Sequence, residues 1–313
     1  MKPYWQGVFP AVTTQMHRDG SIDLESTARH LEVLIDSGVG GLVMCGSLGE
    51  NQSLGGDEKR AVVEAAVSVV AGRIPVLGGV AETSSRAACR YVKDCRAVGA
   101  DGFMVMPAMA YRGDEREVLG HLRAVAKATD APLMIYNNPI AYANDVTPRM
   151  FAKLAEIDTI VALKESSDNT RRITDLRNEV GDRFALFTGV DDLALESAVL
   201  GIDGWVAGIG LAFPYENQLL WDLTREGKWD EARALYRWYT PLLHLDVSTK
   251  LVQNIKLAMQ EEGLGNEWVR APRLQLVGAE RTRVIGIIRE GIATRPKLLG
   301  RKRAAKSPGT RRS

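Results

Sequence analysis

Eight short apolar runs, each followed by a longer stretch of helical spacing, restrict this chain's fold more than any other feature. The runs are "GVFPAVTT" (7–14), "GGLVMCGS" (40–47), "IPVLGGVA" (74–81), "DGFMVMPA" (101–108), "APLMIYNN" (131–138), "TIVALKES" (159–166), "FALFTGVD" (184–191) and "GWVAGIG" (204–210). They are continuous rather than alternating, as strands of a parallel sheet covered on both faces must be. The intervals between them read as helices. "IDLESTARHLEVLIDSG" puts Leu24, Ala28, Leu31, Leu34 and Ile35 on one stripe and stops at Gly38. "SSRAACRYVKDCRAVGAD" repeats that plan with Ser84 or Ser85 as cap, and "TPRMFAKLAEI" opens on Thr147 with Pro148 at the first helical position. Eight such β/α units predict an α/β fold, a (β/α)8 TIM barrel, rather than a doubly wound sheet. Past Gly227 no strand candidate remains and three helical segments follow. The expected division is a barrel over 1–226, a C-terminal three-helix appendage over 227–296 and a basic, disordered tail over 297–313.

A chain of 313 residues has ample apolar material for such a barrel. Its net charge of +1 gives no general bias toward nucleic acid, although the tail alone holds seven cations and no acid, leaving −6 on the rest. Cys45, Cys89 and Cys95 form neither a disulfide framework nor a metal-spaced set. The opening "MKPYWQGVFP" lacks a signal-peptide core and no run of membrane-spanning length exists, so a cytoplasmic location without membrane contact is expected. His17, His30, His121 and His244 make no metal-spaced pair, which argues against a zinc hydrolase. Neither a Walker loop nor a strand-linked GxGxxG is present. The expectation is therefore chemistry with no metal and no cofactor.

On this fold active sites lie at the C-terminal ends of the strands. The second run ends in "CGSLGEN", where Gly46 and Gly49 allow a tight turn and Ser47 adds a hydroxyl. It is either a plain turn or a cradle for a carboxylate. The fifth ends in "IYNNP", where Tyr136 is either a buried ring with a satisfied hydroxyl or a proton shuttle facing the barrel mouth. The sixth, "IVALKES", ends on Lys164. A lysine leaving a strand for water is ordinary. A lysine turned inward is desolvated, loses its proton more easily and becomes an amine nucleophile for a carbonyl. The seventh ends in "TGVDD", where Gly189 lets a ligand approach the backbone.

Taken together, "GSLGE", "YNNP", "LKES" and "TGVDD", in that order over roughly residues 5–295, resemble the dihydrodipicolinate synthase / N-acetylneuraminate lyase family. The resemblance implies the same barrel with a helical C-terminal domain, assembled as a homotetramer, a dimer of dimers. It implies that Lys164 forms a Schiff base with a 2-oxo acid and that Tyr136 moves protons. Ser47 and the amide of Leu48 would hold the substrate carboxylate, with Asn138, Ser166, Gly189 and Val206 as further substrate-binding positions. Three positions depart from the synthase pattern: Leu48 replaces a second threonine, Met109 a tyrosine donated across an interface, and Ala141 an arginine that clamps aspartate semialdehyde. With "YRWYTPLLHLD" and "APRLQL", the chain is similar to the hydroxyproline-degrading branch. There, 1-pyrroline-4-hydroxy-2-carboxylate is deaminated and dehydrated to 2,5-dioxopentanoate. The alternatives are the synthase itself, another 2-keto-3-deoxy sugar acid aldolase or dehydratase, or a keto-acid-binding regulator whose basic tail meets nucleic acid. The intact pair Lys164 and Tyr136 argues against the regulator, since a receptor needs neither.

Overall fold

The computed structural model describes residues 5–108 and 111–297. Met109 and the basic tail beyond Lys297 lie outside them. The first half of the chain runs β1 (Gly7–Val8), α1 (Leu24–Asp36), β2 (Leu42–Met44), α2 (Gly56–Val70), β3 (Val76–Val80), α3 (Ser85–Ala97), β4 (Gly102–Val105) and α4 (Glu115–Lys127). Then follow β5 (Leu133–Asn137), α5 (Pro139–Tyr142), α6 (Pro148–Ala152), β6 (Ile160–Glu165), α7 (Arg171–Val180), β7 (Ala185–Thr188), α8 (Ala194–Val199), β8 (Gly204–Trp205) and α9 (Pro214–Arg225). Three more helices complete the described chain: α10 (Trp229–Leu243), α11 (Leu251–Glu262) and α12 (Gly278–Ala293).

All neighbouring strands pair in parallel, in the order β1-β8-β7-β6-β5-β4-β3-β2. The sheet closes on itself. Just beyond β1, Val12 donates to the Val43 carbonyl at 2.9 Å and Val43 donates to that of Pro10 at 3.0 Å, joining the first strand to the second. This is the TIM barrel expected from the eight repeats. Several strands are shorter than the apolar runs. The eighth is only Gly204–Trp205, and Ile209–Leu211 turns as a 3-10 segment, yet Val206, Ala207 and Ile209 are buried all the same. An apolar run reports burial, and at the mouth of a barrel burial persists after the backbone stops pairing.

The local signals are mostly obeyed. Asp23 caps α1 by accepting from Ser26 N, Ser84 caps α3, and Thr147 caps α6 with Pro148 in the first turn. The inner stripe of α1 differs from the expected one. Leu24 is exposed, and Thr27 and His30 enter with Leu31 and Leu34. Both polar residues bond to backbone: Thr27 donates to the Asp23 carbonyl at 2.9 Å and His30 Nε2 donates to the Leu211 carbonyl at 2.8 Å, leaving the buried His30 Nδ1 without a partner among the described residues.

Candidate active site

In parallel pairing, residues in register point to the same face and successive residues to opposite faces. Tyr136 is in register with Lys164, and Lys164 with Phe187, whose ring packs on Phe9 with centroids 5.2 Å apart. The motif "LKES" is thereby sorted. Lys164 and Ser166 turn into the barrel, and Glu165 turns toward the surrounding helices, where it accepts from Asn137 Nδ2 at 3.0 Å and Ser167 N at 2.8 Å.

The question raised by a strand ending on a lysine is answered by burial. Lys164 is only 6% exposed, and its Nζ lies 4.0 Å from the centroid of the Tyr136 ring. Desolvation lowers its pKa below the usual lysine value, against the pull of Asp246, Tyr142 and Asp191. Gly189, at the end of β7, makes the space for it. A Cβ there would come within 2.1 Å of Lys164 Cε and 2.2 Å of Ser166 Oγ. Burial pushes the Tyr136 phenol up to about 12, so it is a neutral proton donor near pH 7. Its hydroxyl accepts from Asn138 Nδ2 at 3.0 Å.

Ser47 stands on the turn after β2. In that turn Cys45 and Glu50 stand at positive φ, and Gly49 packs so closely that a Cβ there would come within 2.9 Å of the Cys45 Cα. Asn51 Nδ2 bridges the carbonyls of Cys45 at 2.9 Å and Gly79 at 3.0 Å, holding the turn against β3. Beneath it, Glu50 and Lys256 of α11 form a fully buried pair at 2.6 Å, and Glu50 also accepts from Arg270 N at 2.9 Å. The hydroxyls of Ser47 and Tyr142 are hydrogen-bonded, and the Tyr142 ring meets that of Tyr136 edge-on, 6.0 Å between centroids.

The other expected site residues divide. Leu48 and Val206 are buried apolar wall, and Val206 N donates to the Thr188 carbonyl at 2.9 Å. Asn138 is committed to the protein: Oδ1 accepts from Ala141 N at 2.9 Å as the cap of α5 while Nδ2 holds Tyr136. Asn137 faces away, accepting from Val146 N and donating to Glu165 and Asp145. Ser166 points into the barrel. Its buried Oγ affects the Tyr136 phenol but completes no hydrogen bond among the described residues.

Three groups escaped the sequence reading. Tyr142 lies just past "YNNP". Asp191 lies in "TGVDD", where the glycine drew attention first; its carboxylate accepts from Trp205 Nε1 at 2.9 Å and Ile209 N at 2.7 Å, and burial holds it up at about 6. Asp246 follows α10 at the end of "YRWYTPLLHLD", a stretch that enters the sequence reading for its likeness and not for a site residue. Its carboxylate reaches the end of β8, where a Cβ on Gly208 would come within 2.1 Å of Oδ1.

A closed parallel barrel with a desolvated lysine and a neutral tyrosine at the ends of adjacent strands defines a lysine-dependent lyase that works through a Schiff base. Residues 4–290 match the dihydrodipicolinate synthetase family, and the chain belongs to it. Curated relatives include the 4-hydroxy-tetrahydrodipicolinate synthases of Pelobacter propionicus (30% identical over 288 residues, 91% of this chain and 98% of that one) and Xanthomonas campestris pv. campestris (32% over 276 residues, 87% and 90%). Among solved structures, dihydrodipicolinate synthase from Aquifex aeolicus superposes with a TM-score of 0.87 at 27% identity, covering 91% of this chain and 98% of that one. A prophage protein of the same family from E. coli K12, in complex with pyruvate, gives 0.86 at 26%, covering 92% and 99%. No helix among the described residues is long and apolar enough to cross a membrane.

Proposed function

We propose that this lyase eliminates a C4 hydroxyl from a C2-bound intermediate of a small 2-oxo acid or cyclic imino acid, with 1-pyrroline-4-hydroxy-2-carboxylate as substrate and 2,5-dioxopentanoate and ammonia as products. The observation that carries the reading is the buried Lys164 amine, its pKa lowered by desolvation, against the Tyr136 ring. The amine attacks C2, either an open ketone or the ring imine. The resulting iminium draws electrons from C3, which loses a proton to give an enamine. The enamine expels the C4 oxygen, and hydrolysis then frees the lysine and releases ammonia, with one water consumed net. Ser47, oriented by Tyr142, and the Leu48 amide receive the substrate carboxylate. The pyruvate complex of the E. coli relative supports a 2-oxo acid at this place. The reaction needs no second carbonyl substrate, which suits Ala141 and Leu48 standing where the synthase pattern has an arginine and a threonine.

A second reading is favoured by the relatives, which are named as synthases. It gains support from Arg273, a cation close enough to lower the Tyr142 pKa and of the right charge to meet a second carboxylate. Steady-state turnover of the hydroxypyrroline carboxylate, followed by ammonia release, against pyruvate plus aspartate semialdehyde separates the two. Efficient condensation with no ammonia from the first substrate reverses the order. The family resemblance also supports a homotetramer in the cytoplasm, and light scattering tests the assembly.

A further inference from the structure

The elimination leaves one requirement unmet: a proton for the departing C4 oxygen. Tyr136 sits over Lys164 and serves the C2 end. The other side of the mouth, at the ends of β7 and β8, presents Asp246. The segment carrying it is clamped. His244 Nδ1 meets Asp192 Oδ2 at 2.7 Å, Asn254 Nδ2 donates to the Leu245 carbonyl at 2.9 Å, and Asp246 N donates to the Leu243 carbonyl at 3.0 Å. A side chain at residue 208 would displace the carboxyl, and glycine stands there. Although the backbone is held on three sides, Asp246 Oδ1 is buried and finds no hydrogen-bond partner among the described residues. The inward Ser166 Oγ, beside Lys164 at Gly189, is unpartnered as well. Two orphaned polar atoms, one beside Lys164 and one within its electrostatic reach, mark where a ligand's polar group belongs. The charged and titratable groups that face Asp246 are Lys164, Asp191, Asp192, Tyr136 and Tyr239.

We infer that Asp246, contributed from beyond the barrel by the segment after α10, is a catalytic residue of the lyase that hydrogen-bonds the substrate's C4 hydroxyl and protonates it as it leaves. This assignment rests on the elimination proposed above. The electron pair of the enamine N–C2=C3 moves to form C3=C4, the C4–O bond breaks with its pair on oxygen, and the Asp246 proton joins that oxygen to make water. The carboxylate left behind is reprotonated by the proton released from C3. Burial raises the Asp246 pKa well above the ordinary carboxylate value, and the same burial lowers that of Lys164. Both shifts run toward the uncharged pair, a free amine and a carboxylic acid, against the mutual attraction of the two charges.

The test compares Asp246→Asn with the unaltered enzyme. Asparagine keeps the shape and a hydrogen-bonding group but cannot give up a proton. Borohydride trapping is measured with pyruvate, which has no C4, and with 4-hydroxy-2-oxopentanoate, which carries the hydroxyl; borohydride is added at successive times after mixing, and the growth of trapped adduct that has lost water over trapped adduct that keeps the hydroxyl is read by mass. The expected result is unchanged trapping of pyruvate and a 10²–10⁴-fold slower dehydration, the usual contribution of a general acid. Equal loss of trapping with both acids places Asp246 on the lysine instead and overturns the assignment. Dehydration at the unaltered rate overturns it too. If the unaltered enzyme traps pyruvate but never dehydrates the hydroxylated adduct, the elimination itself fails, and the assignment falls with it.

Discussion

The chemistry of Lys164 depends on one physical quantity, the cost of holding an ammonium out of water. Its consequence is a pH profile. Turnover requires the neutral amine, so kcat/KM climbs as pH rises toward the depressed pKa of Lys164, and it falls again where Asp246 loses the proton it donates. Lys164→Ala removes the nucleophile and is expected to abolish both turnover and borohydride trapping, while circular dichroism stays unchanged. A stable adduct on another lysine contradicts the mechanism. Tyr136→Phe keeps the ring under the amine and removes only the hydroxyl; the expected loss in kcat is about 10²–10⁴-fold. Tyr142→Phe is milder. It frees the Ser47 hydroxyl from its partner, and one neutral hydrogen bond of about 1 kcal/mol corresponds to a rise in KM of roughly fivefold, with kcat little changed. A large fall in kcat for that variant would show Tyr142 acting on the reacting atoms.

Among the elements, the turn after β2 is the one most dependent on distant support. It holds two residues at positive φ and is anchored from below by α11 through Glu50 and Lys256, both fully buried. A buried ion pair adds little over a good apolar packing, but breaking one half is costly, about 3–5 kcal/mol, because it strands a charge. Lys256→Met is therefore expected to lower the denaturation midpoint sharply and to raise KM, since Ser47 rides on the same turn. Adding Glu50→Gln to that variant removes the stranded charge and is expected to restore part of the stability. If the single variant unfolds at the same denaturant concentration as the parent, the turn does not depend on this pair.

Across the whole molecule, pH acts through buried groups of opposite sign. His30, under α1, is held neutral by burial, and its pKa falls from 6.5 to about 4. Between those values the unfolded chain binds a proton that the folded one refuses, so stability drops as pH falls through that window, by about 3 kcal/mol in all. Asp191, raised from 3.8 to about 6, does the reverse: the folded chain keeps its proton longer, so its contribution shrinks as pH rises through that range. The two partly cancel in a melting curve. Comparing the parent with His30→Gln, which can still donate to the Leu211 carbonyl, isolates the first. The difference in melting temperature between the two proteins is expected to change between pH 6.5 and 4 and to be constant above pH 7.5.

The barrel was legible in the chain because the alternation of apolar runs with helical spacing is a local property, repeated eight times, and only one closed parallel arrangement buries all of it. The ordered motifs placed Lys164, Tyr136 and Ser47 at strand ends for the same reason: each is named by its immediate neighbours. Whether Lys164 faced the barrel or the helices was not local. It followed from register with Tyr136 and Phe187, since a shift of one residue would have turned Glu165 inward instead. Asn138 looked like a pocket residue in sequence and is occupied by the scaffold, as is its neighbour Asn137, because hydrogen-bond partners such as Ala141 and Val146 are chosen by how the following loop folds back. Asp246 lay furthest from prediction. It closes the "YRWYTPLLHLD" stretch but lies in no strand, and nothing local gave it a role; it comes within electrostatic reach of Lys164 because α10 and α11 pack the segment between them over the ends of β7 and β8, an arrangement that exists only once the chain has closed.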